Sequence, residues 1–291
     1  MKLSFVVEIS KKIQGKLDAL NQGHEQDLDS PIGLSNPSGK NLCFANSILQ
    51  CLRVVNVDIV LANHSKCEDM HCFICTLTKF YTDKLTSAEP LCQLLTAFWE
   101  NYYVGLQQDS HELLLIILDK LYENMDRGSR RQFNDVQRWF FGVRLSSVQC
   151  NQCGLVSKTK EKFGDLNLSL HKAKSVDQSM QNYFQGEEVD FECRKFNGNR
   201  KDLSNIEVPL NLNITPYLEN KKDTETDYTL AGVLVHQGRS VNSGHYYAFV
   251  IKNGRWYRVD DSRTMGSANQ LKNINDGKIV PKESPNPKRE I

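Results

Sequence analysis

The chain has 291 residues, 40% of them hydrophobic, which is enough to bury the core of one domain near the upper size limit for a single cooperative unit. Its 36 lysines and arginines nearly balance 35 acidic residues, so the formal charge of +1 excludes a general electrostatic attraction to nucleic acid or an anionic membrane. Nine cysteines, an odd number that falls mostly into short clusters, favour thiolate chemistry or zinc in a reducing compartment over a secreted disulfide framework. The apolar run from Leu3 to Val7 is too short for a signal peptide, and no stretch approaches the roughly 20 apolar residues of a membrane span. We therefore predict a nuclear or cytoplasmic protein.

The predicted elements change from helical to strand-rich along the chain. Residues 1–30 carry an apolar stripe at helical spacing, which predicts an N-terminal helical extension. A first helix is expected to begin at about Cys43. A second helix is expected to begin after Asp109, because Asp109 and Glu112 have the spacing of N-cap and N3 residues and an apolar run follows them. After about residue 140 short β-rich runs follow, an order that indicates an α+β domain with an antiparallel sheet. The polar C-terminus predicts a disordered tail over residues 271–291.

Cys43 is the first candidate for catalysis. It lies where a loop rich in turn formers, SNPSGKN, meets a helical stretch. A helix N-terminus favours the thiolate form of a cysteine, and the loop could present backbone N–H groups to an oxyanion. Taken alone, however, a cysteine at such a junction is more commonly a small buried hydrophobic residue.

The distant segment SGHYYAFVIKNGRWYRVDDS favours the catalytic interpretation. Ser243 and Gly244 predict a tight turn before His245, and the Asn-Gly pair that follows the first strand predicts a hairpin that returns to Asp260. Such a hairpin brings an acid beside the histidine, where it can fix the imidazole tautomer and stabilise imidazolium. Histidine and acid on paired strands, together with a distant cysteine, form an arrangement for nucleophilic catalysis.

Three segments, in the expected order, resemble the ubiquitin-specific proteases. GLSNPSGKNLCFANSILQCL is similar to the cysteine box of that family, LQQDSHELLLIILDKL to its glutamine-aspartate helix, and the segment around His245 to its histidine box. The resemblance implies a papain-like fold with a helical thumb, zinc-knuckle fingers and an antiparallel palm over residues 31–270. It also implies that Cys43 is the nucleophile and that His245 is the base and then the acid. Asp260 and Asp261 correspond to paired acids, of which the second shares or replaces the orienting role of the first.

The same resemblance implies residues that bind substrate. Gln108 and Asp109 match the pair at the start of the family's helix, which contacts the tail of ubiquitin. A plain N-cap is an equally good explanation of Asp109 and does not exclude that contact. Gly244 and Tyr246, on either side of His245, are further substrate-binding candidates.

Two departures from the family pattern stand out. In the family, an asparagine five residues before the cysteine polarises the scissile carbonyl. In this chain the residue five positions before Cys43 is Ser38. Asn36, Ser38 and Asn41 are therefore the candidates for an oxyanion donor. The family also adds a strand after the paired acids, and nothing after Thr264 matches its motif, which predicts an exposed edge beside the histidine hairpin.

A group of cysteines and histidines in the first half of the chain has the spacing of a zinc site. Four nitrogen and sulfur ligands within reach of one another satisfy tetrahedral zinc. The candidate ligands are His64, Cys67, Cys72 and Cys75, with His71 as the rival to His64. The segment HSKCEDMHCFICTL resembles the subfamily of these proteases that removes ubiquitin from histones within transcriptional co-activator assemblies.

A second zinc knuckle is incomplete. Cys150 and Cys153 resemble the first half of the zinc site in the family's fingers, expected here at about residues 146–195. Only Cys193 remains to complete it, so the fingers are expected to be shortened and a local four-ligand site is doubtful.

The first hypothesis is a zinc-containing, cysteine-type deubiquitinase that hydrolyses the bond after the C-terminal glycine of ubiquitin through a thioester. The alternative is a catalytically impaired or partner-dependent ubiquitin-binding scaffold of the same fold. A third possibility is a papain-like protease of general peptides, but its catalytic triad would have Asn where this chain has Asp260. A fourth possibility is a zinc-dependent interaction module without catalysis, which leaves the Cys43 and His245 segments unexplained. The expected partners are ubiquitin, ubiquitinated proteins such as histone, and co-activator subunits.

Overall fold

The structure is a computed structural model, and it describes most of the chain with gaps. The described residues are 3–8, 30–55, 71–125, 140–149, 156–185, 206–219, 226–240, 243–266, 271–272 and 278–281, with single positions at 57, 61, 64, 67, 69 and 137. Among these residues no helix has both the length and the apolar character needed to cross a membrane.

Helices dominate the first half of the described chain and strands the second. The helices are α1 (Cys43–Val54), α2 (Phe73–Thr82), α3 (Glu89–Leu95), α4 (Ser110–Met125) and α5 (Val176–Phe184), with a 3₁₀ turn at Thr215–Tyr217. The strands are β1 (Leu3–Glu8), β2 (Gly142–Gln149), β3 (Val156–Phe163), β4 (Val208–Pro209), β5 (Asn211–Asn213), β6 (Asp227–Ser240), β7 (Ser243–Lys252), β8 (Arg255–Asp260), β9 (Arg263–Gly266), β10 (Leu271–Lys272) and β11 (Lys278–Pro281). The predicted α+β class with an antiparallel sheet is confirmed.

The central sheet has the order β1-β6-β7-β8-β9, with β5 also paired to β6, and its neighbouring strands are antiparallel. The predicted hairpin is present, because β7 turns into β8 at Asn253 and Gly254, whose φ angles of 50° and 70° suit a tight two-residue turn. Asp260 at the end of β8 is thereby returned toward the strand that carries His245.

Both faces of this sheet are covered. On β7, Tyr246, Ala248 and Val250 pack into the core formed with the helices, whereas Tyr247 and Phe249 pack into a second core on the other side. The alternation follows from the period of two in a strand. α1 lies directly against β7 and is almost wholly buried, so the helix that begins at Cys43 is pressed onto the strand of His245.

The predicted fingers contain a separate two-stranded hairpin, β2-β3. Its base is attached to α4, because the ammonium of Lys162 lies over the rings of Tyr122 at 3.2 Å and Phe141 at 4.1 Å. At the far end of this pair of strands the hydrophobic side chains of Val148 and Val156 are exposed. The knuckle residues fall outside the described part of the chain; they are Cys150, Cys153 and Cys193.

Three expectations about the chain ends need correction. Residues 3–8 form a strand on β6 rather than part of a helical extension, while the predicted helical stripe from residue 9 lies outside the described residues. The edge of β8 is covered, because the chain turns back after Asp261 and pairs through β9. Residues 271–272 and 278–281, assigned to a disordered tail, form short strands, and β11 pairs with β4.

Candidate active site

Cys43 is the first residue of α1, and only 2% of its surface is exposed. Leu42, just before it, donates its backbone N–H to Oδ1 of Asn36 at 2.9 Å, which closes the preceding loop onto the helix start. The same loop is tied to α3 by an ion pair between Lys40 and Glu89 at 2.6 Å. Because the N–H groups of a first helical turn have no partner within the helix, the thiol lies where a negative charge is stabilised.

His245 contacts both a carboxylate and the thiol. Its Nε2 lies 2.6 Å from Oδ1 of Asp260, and its ring also forms a hydrogen bond with the side chain of Cys43. Since Nε2 faces the carboxylate, Nδ1 is the nitrogen that remains for the thiol. The second carboxylate oxygen of Asp260 accepts a hydrogen bond from Arg258 at 2.7 Å. The four side chains form a continuous line from guanidinium to sulfur.

The electrostatics of this line favour a charged histidine. The hydrogen bond with Asp260, and then the one with Cys43, raise the pKa of His245 to about 10, against the opposing effect of burial. Burial alone would raise the pKa of Asp260, but the interactions with His245 and Arg258 outweigh it and hold that pKa below its usual range. At neutral pH the imidazolium and the carboxylate are therefore the favoured forms.

Asp261, the second acid of the pair, contacts the cysteine-bearing segment instead of the histidine. Its Oδ2 accepts from Nδ2 of Asn36 and its Oδ1 from Nδ2 of Asn46, both at 2.8 Å. Its backbone carbonyl accepts from the N–H of Leu34, also at 2.8 Å. With φ of 50°, Asp261 occupies the left-handed region, a conformation that Asp tolerates. Adjacent acids thus bind opposite halves of the site.

The start of α4 forms a third side of the site. Asp109 is its N-cap, and Oδ1 accepts from the N–H of His111 at 2.8 Å. Tyr246 is buried, and its hydroxyl forms a hydrogen bond with the backbone of Ser110. Burial is the main cause that raises the pKa of Tyr246, so it stays a neutral phenol.

Gln107, two residues before the N-cap, reaches the strand of the histidine. Its Oε1 accepts from the backbone N–H of Gly244 at 2.8 Å, and its Nε2 donates to the carbonyl of the same residue. Gln108, the glutamine favoured by sequence, is partly exposed beside it. Gly244 and Tyr246, the other substrate-binding candidates, are thus both held by the start of α4.

The oxyanion candidates differ in their surroundings. Asn36 donates to Asp261 and accepts from Leu42, so both ends of its amide are engaged. Asn41, with φ of 50°, donates to the carbonyl of Gly105 at 2.6 Å. Ser38 is exposed in the turn between them.

The four ligands predicted from spacing come together in space. The donor atoms of His64, Cys67, Cys72 and Cys75 all lie within 4.8 Å of one another, and Sγ of Cys72 is 3.5 Å from Nε2 of His64. Tetrahedral zinc with bonds of about 2.0–2.3 Å needs ligand separations of roughly 3.5–3.8 Å, so the set fits this ion. His71, the rival nitrogen, is exposed and does not belong to the cluster among the described residues.

The charge state of this cluster depends on whether a cation is bound. Burial, and then the neighbouring Cys72 and Cys67, raise the pKa of Cys75 to about 12. Closely spaced thiols resist becoming thiolates because their charges repel one another. A bound dication reverses that balance and deprotonates its cysteine ligands.

Sequence reasoning missed three residues that the structure brings into the site: Gln107, Asn46 and Arg258. Gln107 stands next to Gln108, and only the direction of the chain before α4 decides which glutamine faces β7. Asn46 lies one helical turn after Cys43, a spacing that places both on neighbouring faces of α1. Arg258 lies two residues before Asp260, and alternate residues of a strand lie on the same face. The sequence spacing alone could therefore have indicated that Arg258 is near Asp260.

This chain is similar to known proteins over most of its length. The model of the family described as ubiquitin carboxyl-terminal hydrolase matches residues 32–281. Ubiquitin carboxyl-terminal hydrolase 25 of Arabidopsis thaliana is 28% identical over 80% of this chain and 44% of its own length. Ubiquitin carboxyl-terminal hydrolase 23 of the same plant is 27% identical over 88% of this chain and 36% of its own length. The chain thus spans less than half of each of these two relatives.

A similar fold is found among solved structures. A SAGA DUB module that contains Ubp8, Sgf11, Sus1 and Sgf73, bound to monoubiquitin, aligns with a TM-score of 0.68. The match covers 94% of this chain and 75% of the other, at 20% identity. At that identity the likeness shows the fold.

Proposed function

Because the chain belongs to the ubiquitin carboxyl-terminal hydrolase family, a family of thiol proteases, we propose that it hydrolyses the peptide or isopeptide bond after the C-terminal glycine of ubiquitin. The observation that carries this proposal is the line of Asp260, His245 and Cys43. It supplies a nucleophile, a proton carrier and an orienting acid within contact of one another, which nucleophilic catalysis requires.

In the first step Cys43 gives its thiol proton to Nδ1 of His245, and its sulfur attacks the carbonyl carbon of the terminal glycine. The carbonyl electrons move to oxygen, and when they return the bond to the leaving amine breaks. His245, protonated through Nδ1, gives its proton to that amine, and a thioester remains on Cys43. Asp260 holds the ring through Nε2 and stabilises its positive charge.

In the second step a water molecule attacks the thioester. His245, now neutral, accepts one proton of the water, and the carbon–sulfur bond breaks to release the thiolate. The carboxyl group of ubiquitin that forms loses its remaining proton to solvent and leaves as the carboxylate. The negative oxygen formed in each step needs a donor. We assign this role to the backbone N–H of Cys43 at the start of α1, supported by Asn36, because the amide nitrogen of Asn36 carries a second hydrogen besides the one given to Asp261.

A zinc ion completes the thumb in this proposal. His64, Cys67, Cys72 and Cys75 would hold it as a closed tetrahedral site, with no position open for catalysis. The ion would tie the segment before α2 to the helical core, in which Cys72 and Phe73 are buried.

The proposed substrates are ubiquitin conjugates, with ubiquitinated histone among them, and the proposed partners are subunits of a co-activator assembly in the nucleus or cytoplasm. These finer assignments rest on the resemblance of the cysteine cluster and on the SAGA DUB module whose fold this chain shares. A partner-dependent scaffold is the second candidate. It is favoured by one observation: Asn36 already binds Asp261 and Leu42, which leaves a single hydrogen of its amide for an oxyanion.

A ubiquitin derivative with a C-terminal electrophile tests the proposal. We expect a covalent adduct on Cys43 of the full chain, located by peptide mass spectrometry and absent in Cys43→Ala. Cys51→Ala is the control, since Cys51 is buried in the same helix away from the loop. Binding of ubiquitin without an adduct, with and without candidate partner subunits, would support the scaffold and refute the hydrolase.

A further inference from the structure

The two residues that flank His245 are attached to the start of α4. Gly244 is bound through its backbone N–H and carbonyl by the amide of Gln107. Tyr246 is bound through its hydroxyl by the backbone of Ser110. The catalytic ring therefore projects from a short segment of β7 whose two neighbours share one anchor.

The contact of Gln107 constrains this segment strongly. A side-chain amide carries one acceptor and a donor in one plane, so it can pair with both polar groups of one residue, as a neighbouring strand would. Two parallel hydrogen bonds fix the distance and also the rotation of the backbone at Gly244. Gln107 lies two residues before the N-cap Asp109 of α4, and that helix is packed in the core.

The opposite side of the same segment is closed by β6. A side chain on Gly244 would lie 2.4 Å from Nε2 of His236 and 2.4 Å from the carbonyl of Gln237, so only glycine fits there. The ring of His236 stacks on Tyr246 with 4.3 Å between centroids. The segment is held between β6 and α4, and loss of the α4 contact frees it on one side without creating a clash.

We propose that Gln107 is a positioning residue, which sets the orientation of His245 toward Cys43 by fixing the backbone of Gly244. This inference rests on the proposed hydrolase activity, because positioning matters only if the pair reacts. It predicts that the polar atoms of Gln107 act within the protein and not on substrate. Its loss therefore lowers turnover and leaves substrate binding unchanged.

Two variants of the full chain test the proposal. Gln107→Met keeps the length and volume of the side chain and removes both hydrogen bonds, whereas Gln107→Asn keeps the amide and shortens its reach by one methylene. Gln93→Met is the matched control, because Gln93 is an exposed glutamine on α3. With a fluorogenic ubiquitin substrate we expect kcat to fall by about 10- to 100-fold in both Gln107 variants, with KM within about twofold of wild type.

A second measurement is independent of catalysis. Imidazole nitrogen NMR follows the titration of His245, whose pKa is raised to about 10 by its contacts with Asp260 and Cys43. Misplacement of the ring weakens these contacts, so the pKa of His245 is expected to move back toward its ordinary value in both Gln107 variants and to stay unchanged in Gln93→Met. A side chain that only stabilised the fold would lower the melting temperature without moving this titration.

The outcomes are distinguishable. Lower kcat with unchanged KM and a lowered pKa of His245 support the proposal. Unchanged kcat and titration, or an increase in KM alone, overturn it, the latter by showing that Gln107 binds substrate. If wild type itself fails to react with the ubiquitin substrate, the proposed function fails, while the titration of His245 in the variants still decides whether Gln107 positions the ring.

Discussion

The proposed catalytic centre and the proposed metal cluster are both built from cysteine and histidine, but the chain assembles them differently. Cys43 and His245 come from opposite ends of the domain and meet only because α1 packs against β7. The four metal donors come from the segment between His64 and Cys75 and meet within it. A site assembled from distant parts of the chain depends on supporting residues, such as Asp260 and Gln107, to align its reactive groups. We therefore expect changes at those residues to lower catalytic activity. A local site mainly contributes stability.

The largest effect on catalysis is expected at Asp260, which both orients the ring of His245 and stabilises its positive charge. Asp260→Asn keeps the shape of the side chain but removes the charge that stabilises imidazolium, and we expect kcat to fall by about 10²- to 10⁴-fold. Steady-state hydrolysis of a fluorogenic ubiquitin substrate measures this, with unfolding curves as a control for folding. A change below about threefold would mean that a different group orients His245.

A smaller effect at the neighbouring acid sharpens the comparison within the catalytic centre. Asp261→Asn tolerates the left-handed backbone but turns one acceptor into a donor against Asn36 or Asn46. We expect a loss of about 1–3 kcal/mol in the free energy of unfolding and about a tenfold fall in kcat, because the cysteine loop loosens. Denaturant unfolding and kinetics test this.

The titration of His245 separates the roles of the two acids. It should remain unchanged in Asp261→Asn and move to a lower pKa in Asp260→Asn. Equal shifts in the two variants would contradict the division of roles between them.

The metal cluster should respond in stability and hardly in chemistry. Cys72→Ser removes one donor, and we expect loss of bound zinc and a fall of several kcal/mol in the free energy of unfolding. Turnover per folded molecule should stay within about threefold, because the cluster contributes no group to the Cys43 site. Elemental analysis and unfolding curves measure the first part, with His71→Ala as the control. A tenfold loss of kcat in fully folded Cys72→Ser protein would show that the metal cluster also supports catalysis, which contradicts the contrast between the two sites.

The smallest effect concerns pH and the stability of the catalytic centre. The folded-state pKa of His245 is raised from 6.5 to about 10, so its contribution to stability is fully present below about pH 6.5 and is lost as pH rises through 10. Because the ring is 40% exposed, solvent screening keeps this contribution below about 1 kcal/mol. Urea unfolding at several pH values should give a flatter dependence for His245→Gln than for wild type. Parallel curves would contradict the raised pKa.

Much of this protein could be predicted from sequence because the patterns are local. The Asn-Gly turn between β7 and β8, the N-cap at Asp109 and the spacing of the metal donors each depend on a few consecutive residues, and each is present in the structure. The chain ends were predicted poorly. Strand β1 forms because β6 offers it an edge, and such a long-range pairing leaves little trace in a short segment.

The sequence by itself determined the residue types of the site and the hairpin that brings Asp260 back to His245. Only the tertiary structure decided which acid contacts which half of the site, and which of two adjacent glutamines supports the histidine. The physical reason is that the path of the backbone sets the direction in which each side chain points. A single left-handed residue at Asp261 sends its carboxylate to Asn36 and Asn46, and the path of the chain before α4 brings Gln107 to Gly244. Packing fixes such directions over long distances, and residue order does not.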